Sequence, residues 1–282
     1  MATATAISRH ANGLGVNERT DNWWAAPLSV LFGLLAFIVY STWAAMQGNH
    51  YSVGMSDGFG GYLSPMYSPL VYILEGVDGG APLSHALLGA WPAWWPSFIP
   101  ASPAFLILAF PGAFRFTCYY YRKAYYRAFT ATPPGCAVGA LPRKTKYVGE
   151  TGLFVFQNLH RYAMYFAVVF IFILSYDAIM SFFRDGQFGV GLGSIVLLIN
   201  PILLGMYTFG CHSFRHLMGG RRDCFSCDVR GKVAHGNWSW ITNLNQNHQL
   251  MAWLSLIWVG GTDLYVRLVS MGVITDPNTW GV

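Results

Sequence analysis

Charge is what this chain has least of: Lys, Arg, Asp and Glu together make up 10% of its 282 residues, against about 25% in soluble domains. That shortage argues against a soluble enzyme with a water-facing surface. With 54% hydrophobic residues and a mean hydropathy of +0.38, the bilayer is the expected solvent. Cysteine is scarce as well. Five residues are too few and too scattered for a disulfide-built secreted scaffold, and an odd number cannot all pair. Internal repeats, low-complexity tracts and any recognisable soluble domain are missing too, which leaves no solenoid or linker architecture to consider.

What is present is a set of long apolar runs. A helix crosses a bilayer with about 20 predominantly apolar residues, and five segments qualify: 25–45, 103–121, 153–181, 192–214 and 240–271. The expected fold is therefore all-α, a five-transmembrane-helix bundle, with a short segment at 1–22 and a single membrane domain over 23–282. Pro111 and Arg115 predict a kink and a sheltered charge in the second span. Pro201 predicts a kink in the fourth, and the fifth opens on Asn243, Asn245, Asn247 and His248 before turning apolar.

Orientation follows from the basic residues. Fourteen of the 17 Lys and Arg fall in the N-terminus, in 115–146 and in 215–232, whereas 48–102 has none. The positive-inside rule then places the N-terminus in the cytoplasm. The segment 48–102, rich in Trp and Pro around Trp91, Trp94 and Trp95, is expected to lie in the outer interface without spanning.

On this topology the soft-ligand residues crowd one face. Cys118, Cys136, Cys211, Cys224 and Cys227 all lie at or beyond the cytoplasmic ends, with His160, His212, His216, His235 and His248. His212 and His216 stand four apart, on one face of a helix, the spacing by which two imidazoles reach one ion; Cys211 would sit about 100° round the same helix. Cys118 closes the second span. Cys136 lies in a Pro-Pro-Gly-Cys turn whose amides could face a thiolate. Cys224-x-x-Cys227, alone in a polar loop, is a weaker zinc or redox candidate. Each of these residues has a plain alternative as an interfacial polar group.

Thiolate and imidazole donors suit iron, copper or zinc better than magnesium or calcium. Two Cys with two His would suit a Rieske-type [2Fe-2S] cluster, and two His on facing helices, such as His160 with His212 or His248, would suit haem b. Arg115, His160, Arg161 and the tyrosines of the 118–127 run, Tyr119 first among them, are candidates to bind and protonate a quinone head group. A non-redox metal-binding membrane protein or transporter is the rival class. It would want ionisable groups along a continuous path, and here they gather at one end. No residue is assigned as catalytic in this chain by itself.

The combination of CYYYRKAYYRA from Cys118, PPGCAV from Pro133, NLHRY from Asn158, CHSFRH from Cys211, HQLMAWLSL from His248 and TDLYVRL from Thr262 resembles the single-chain membrane-anchor subunit of actinobacterial succinate dehydrogenases, the mycobacterial type above all. The resemblance covers about 114–271. It implies a multi-pass protein of the bacterial plasma membrane that is no enzyme alone. Such a chain holds a flavoprotein and an iron–sulfur subunit of respiratory complex II on the cytoplasmic face and passes their electrons to menaquinone. Anchors of the wider family often hold haem b, whereas the mycobacterial type is understood to carry a membrane-embedded Rieske-type [2Fe-2S] cluster instead. The implied metal ligands fall among Cys118, Cys136, Cys211, His212, His216 and His248, and the implied quinone contacts among His160, Arg161, Arg115 and Tyr119.

Overall fold

The computed structural model describes residues 13–55, 60–140, 153–219 and 222–280, with the side chains of 153–157 set aside. His10, the basic residues Arg143, Lys144 and Lys146, and Arg221 lie outside the described residues. The described chain falls into two compact units, one formed by 1–39 and 115–160, the other by 40–114 and 161–282.

Helices dominate. In chain order they are α1 (Ala25–Gln47), α2 (Pro103–Ile107), α3 (Ala109–Thr117), α4 (Tyr119–Ala124), α5 (Leu153–Met180), α6 (Leu192–Phe209), α7 (His212–Met218), α8 (Val229–Gln246) and α9 (His248–Ser270). Among the described residues two tiny antiparallel hairpins accompany them, β1 (Ser52–Val53) with β2 (Tyr62–Leu63), and β3 (Phe183–Arg184) with β4 (Gln187–Phe188). Three helical stretches among the described residues are long and apolar enough to cross a membrane: Ala25–Gln47, Asn158–Met180 and Leu192–Phe209. They coincide with the first, third and fourth expected spans.

The second and fifth expected spans are interrupted, and the sequence explains where. A proline ring clashes with the carbonyl four residues back; counted from Pro111, that residue is Ile107, and α2 ends on Ile107. The ladder resumes through Gly112 N–H to Leu108 O at 2.9 Å, so 103–117 is one kinked path. It stops at Cys118, whose extended backbone (ψ 135°) starts α4. The fifth segment is two helices meeting at Asn247, which closes α8 and opens α9. Its polar opening belongs to α8, a separate helix of low hydrophobicity.

In the unit formed by 40–114 and 161–282, α6 packs along α9, with Trp258 Nε1 donating to Val196 O at 3.0 Å. The core there gathers Tyr62, Ala178, Leu197 and Val266, with Val53 and Leu198 against it. The 48–102 segment contains no helix of spanning length among its described residues. It is a folded layer with its own buried residues, Tyr51, Tyr62, Met66, Tyr67, Leu70 and Ile73. Tyr51 and Tyr67 stack with ring centres 4.6 Å apart. Leu87, Leu88, Trp94 and Phe98 remain largely exposed, an apolar fringe that suits an interfacial position.

One carboxylate ties the C-terminal segment to this core. Buried Asp276 accepts from Tyr62 Oη at 2.6 Å, Tyr265 Oη at 2.5 Å and the Gly193 N–H at 2.8 Å, the last being an otherwise unpaired donor in the first turn of α6. Glycine is required at 193 because a Cβ there would lie 2.4 Å from the Tyr62 ring. Asp276→Ala strands three donors, each worth about 1–3 kcal/mol when buried without a partner. A fall of several degrees in the melting temperature of the detergent-solubilised protein is expected, with Asp276→Asn falling less. An Asp276→Ala melting curve that overlays wild type would contradict this account.

Candidate functional site

The two buried thiols singled out from the sequence occupy the same kind of position, each in its own unit. In the unit formed by 1–39 and 115–160, Cys118 is the N-cap of α4. In the other unit, Cys211 is the N-cap of α7, with ψ 143° and Sγ accepting from the Ser213 N–H at 3.3 Å. Both are reduced and 2% exposed. The expectation that Cys211 continues the helix of His212 is therefore corrected: α6 ends at Phe209, the Gly210 N–H still bonds Met206 O at 3.2 Å, and the ladder stops at Cys211, whose N–H turns to Thr208 O. Residue 210 has little room for a side chain, since a Cβ there would stand 3.3 Å from His248 Nδ1 and 3.1 Å from Leu244 O.

Around Cys118 the first unit holds Arg115, Thr117, Tyr119, Tyr121 and His160. Arg115 Nη1 donates to Tyr121 Oη at 2.6 Å. His160 is buried, and its Nδ1 lies 2.9 Å from Thr117 Oγ1. If Nδ1–H donates to that hydroxyl, Nε2 carries the lone pair, the arrangement that ligating histidines use. Tyr119 is exposed, its ring edge-on to Tyr120 at 5.7 Å. Thr117 escaped the sequence reading; its only signal was its place one residue before Cys118.

In the second unit α7 does present His212 and His216 on consecutive turns, yet the two rings have different surroundings. His216 Nδ1 faces Arg161 Nη2 at 3.1 Å. Arginine has only donors, so His216 accepts at Nδ1 and, when neutral, keeps its proton on Nε2. That tautomer donates a proton outward and is a poor metal ligand. Burial, reinforced by the Arg215 charge, pushes the His212 imidazole pKa down, which favours its neutral form. Arg215 itself is held by Thr242 Oγ1 at 3.0 Å and by the Trp238 ring, 4.1 Å from its guanidinium carbon. His248 is the most buried imidazole of the group at 1% exposure, stacked on Tyr207 at 4.9 Å. Asn245 Nδ2, donating to Gly210 O at 2.7 Å, fastens the junction between α8 and α9 to the end of α6.

The remaining cysteines separate from these. Cys136 is exposed, and its carbonyl accepts from Arg19 Nη1 at 2.9 Å. Cys224 and Cys227 are joined to each other by a disulfide, which removes both from metal binding in this state. Among the described residues no group of three or more His, Cys, Asp or Glu side chains is assembled as a metal site.

With that geometry in view, comparison with known proteins is informative. The model of the actinobacterial succinate dehydrogenase subunit SdhC family matches residues 25–272. No curated protein sequence matches the chain. Among solved structures, the chain is similar to one from the Mycobacterium smegmatis Sdh1 complex in the apo form, with 43% sequence identity, 92% of each chain covered and a TM-score of 0.78.

Proposed function

Because the chain belongs to the actinobacterial succinate dehydrogenase subunit SdhC family and so is a membrane subunit of that complex, we propose that it delivers the electrons of succinate oxidation to menaquinone through a site at its cytoplasmic end. In this reading the chain is a five-helix anchor of the bacterial plasma membrane with its N-terminus in the cytoplasm, where the kinked 103–117 path and α9 join the three long apolar helices. The flavoprotein and iron–sulfur subunits dock on the cytoplasmic face, over the basic 115–127 stretch, α7 and α8. The lopsided distribution of Lys and Arg supports this orientation.

The observation that carries the quinone reading is the Arg161–His216 pair, which joins the NLHRY and CHSFRH motifs at 3.1 Å. It sets a permanent cation beside an imidazole whose Nε2–H points away from it. A quinone oxygen gaining charge needs a fixed positive group, and its protonation needs a donor within hydrogen-bond reach. Arg161 and His216 supply both, with Arg115, Tyr119 and His160 as further polar candidates from the other unit.

For the [2Fe-2S] cluster that the family resemblance implies, burial supports a choice of donors within each unit. Cys118 and Cys211 are the buried reduced thiols, and His248 and His160 the buried imidazoles. Two thiols and two imidazoles are the chemical set of a Rieske-type centre, which when bound supplies a one-electron carrier of raised potential. Cys136, His212 and His216, exposed or otherwise engaged, are the weaker ligands of the sequence set. Haem b on two of the same histidines is the second reading, kept because His248 already stacks flat on an aromatic ring.

Spectroscopy on the purified complex separates the two. A Rieske-like EPR signal on dithionite reduction, with no Soret band, is expected. Cys118→Ser and Cys211→Ser should each abolish the signal and quinone reduction while leaving succinate-driven reduction of a soluble dye intact. A reducible Soret band that survives both substitutions overturns the cluster in favour of haem b.

A further inference from the structure

Cys224 and Cys227 stand apart from the quinone and cluster residues, joined to each other by a disulfide in the loop between α7 and α8. Arg222, Arg230 and Lys232 flank the pair in sequence, which puts it on the cytoplasmic side in the orientation proposed above. A cytoplasm keeps thiols reduced, and a disulfide found there is usually transient, catalytic or redox-sensing. A bond that only braces a fold is best shielded from passing thiols. This one is open, with Cys227 exposed and Cys224 half-buried.

The surroundings favour exchange through one sulfur. Cys227 directly precedes Asp228, the N-cap of α8, and a helix N-terminus favours a thiolate beside it. The opposing charge of Asp228 is engaged by Arg222 Nη1 at 3.1 Å and by the Gly231 N–H. Ser226 Oγ lies 3.6 Å from Cys224 Sγ, placed to donate once that sulfur carries charge. A thiolate attacking exposed Cys227 therefore expels Cys224 next to a hydrogen-bond donor, and a stabilised leaving thiolate departs faster.

The loop is also packed onto the helices that follow and precede it. A Cβ on Gly231 would lie 2.8 Å from Phe225 O and 3.0 Å from Cys224 O, so the loop carbonyls rest on the first turn of α8. The Phe225 ring, between the two cysteines, meets His235 at 5.2 Å and Trp238 at 6.5 Å. Trp238 in turn carries the Arg215 guanidinium of α7 at 4.1 Å, next to His216 and its bond from Arg161.

We propose that Cys224 and Cys227 form a reversible thiol–disulfide exchange site for a cytoplasmic protein bearing a Cys-x-x-Cys dithiol, and that opening the bond loosens α7 and slows quinone reduction. The partner's thiolate bonds to Cys227 Sγ while the Cys224–Cys227 bond breaks and Cys224 takes the electron pair. The partner's second thiol then attacks the mixed disulfide and releases Cys227. The two protons of the partner dithiol end on Cys224 and Cys227, and the partner leaves as a disulfide; the reverse exchange restores the bond. The compartment and the effect on turnover rest on the orientation and quinone reading above; the exposed disulfide and the Phe225–Trp238–Arg215 contacts do not.

The test uses the intact complex in lipid nanodiscs and, as probe, a thioredoxin whose resolving cysteine is replaced by serine, so that the mixed disulfide is trapped. Mass spectrometry should find it on Cys227, in the tryptic peptide 223–230 that carries both cysteines. Reduction by unmodified thioredoxin with its reductase and NADPH should then speed hydrogen exchange of the 212–219 amides at least threefold. It should also cut turnover with 2-methyl-1,4-naphthoquinone at least twofold, with succinate-driven dye reduction unchanged. Cys224→Ser combined with Cys227→Ser should show the fast exchange and slow turnover from the start and no response to reductant. Phe225→Ala should show the fast exchange with the disulfide intact.

Cysteines that alkylate before any reductant is added, or that form no mixed disulfide in the intact complex, overturn the proposal. So does 212–219 exchange that reduction leaves unchanged, or a response to reductant that persists in the double variant. A complex that reduces the dye but no quinone overturns the Arg161 reading, while a trapped Cys227 and a loosened α7 would still support the exchange site.

Discussion

Asp263→Ala is expected to remove nearly all assembled protein from the membrane. Asp263 is fully buried and Arg267, one turn further along α9, is almost so; their Oδ2 and Nε atoms lie 3.7 Å apart. The carboxylate also accepts from Tyr40 Oη at 2.6 Å and from Ser64 Oγ. Arg267 donates to Asn49 O at 3.0 Å and lies over the Trp43 ring at 5.2 Å. Removing the carboxylate leaves a guanidinium that cannot deprotonate, and breaking such a buried pair from one side costs about 3–5 kcal/mol. That is comparable to the whole stability of a marginal fold.

Size-exclusion chromatography of the solubilised complex would read the loss, with Asp263→Asn intermediate. Asp263→Ala combined with Arg267→Leu should recover more protein than the single variant, because no orphaned charge remains. If Asp263→Ala assembles like wild type, the pair is not carrying the junction of α1, the 48–102 layer and α9.

This network shows which parts of the fold a reading of the sequence reaches and which it does not. Apolar run length located α1, α5 and α6 to within a few residues, because hydrocarbon thickness imposes a length that composition alone reveals. The break after Ile107 was legible in kind from Pro111, whose reach back by four residues is local chemistry. The break at Cys211 was not, since the carbonyl freed at Gly210 finds its donor in Asn245, 35 positions away. Arg267 is one of the three cations outside the stretches that hold the other 14 Lys and Arg. Its partner four residues earlier was in plain view at helical spacing, but nothing local showed both to be buried. Asp276 was harder still: its three partners are spread over some 200 residues. At the candidate site the residue types were readable and the roles were not. His216 looked like a ligand from its spacing with His212, and only the position of Arg161 reveals which of its nitrogens is engaged.

That engagement makes Arg161→Ala the second large effect. Without the guanidinium, His216 loses the donor that fixes its tautomer and the proposed quinone site loses its fixed charge. General acid catalysis is worth about 10²–10⁴-fold, so kcat for menaquinone reduction should fall at least a hundredfold. Succinate oxidation measured with a soluble dye, which draws electrons before they reach this chain, should hold. Arg161→Lys should recover part of the loss, because an ammonium still donates to Nδ1 but lacks the planar fork that reaches a second acceptor. His216→Ala should cost a similar amount, and the double variant little more than either alone, since two residues that act as one unit are not additive. A merely structural role for Arg161 gives a different pattern: less complex recovered, the remaining molecules turning over at the wild-type rate, and losses from the two sites that multiply.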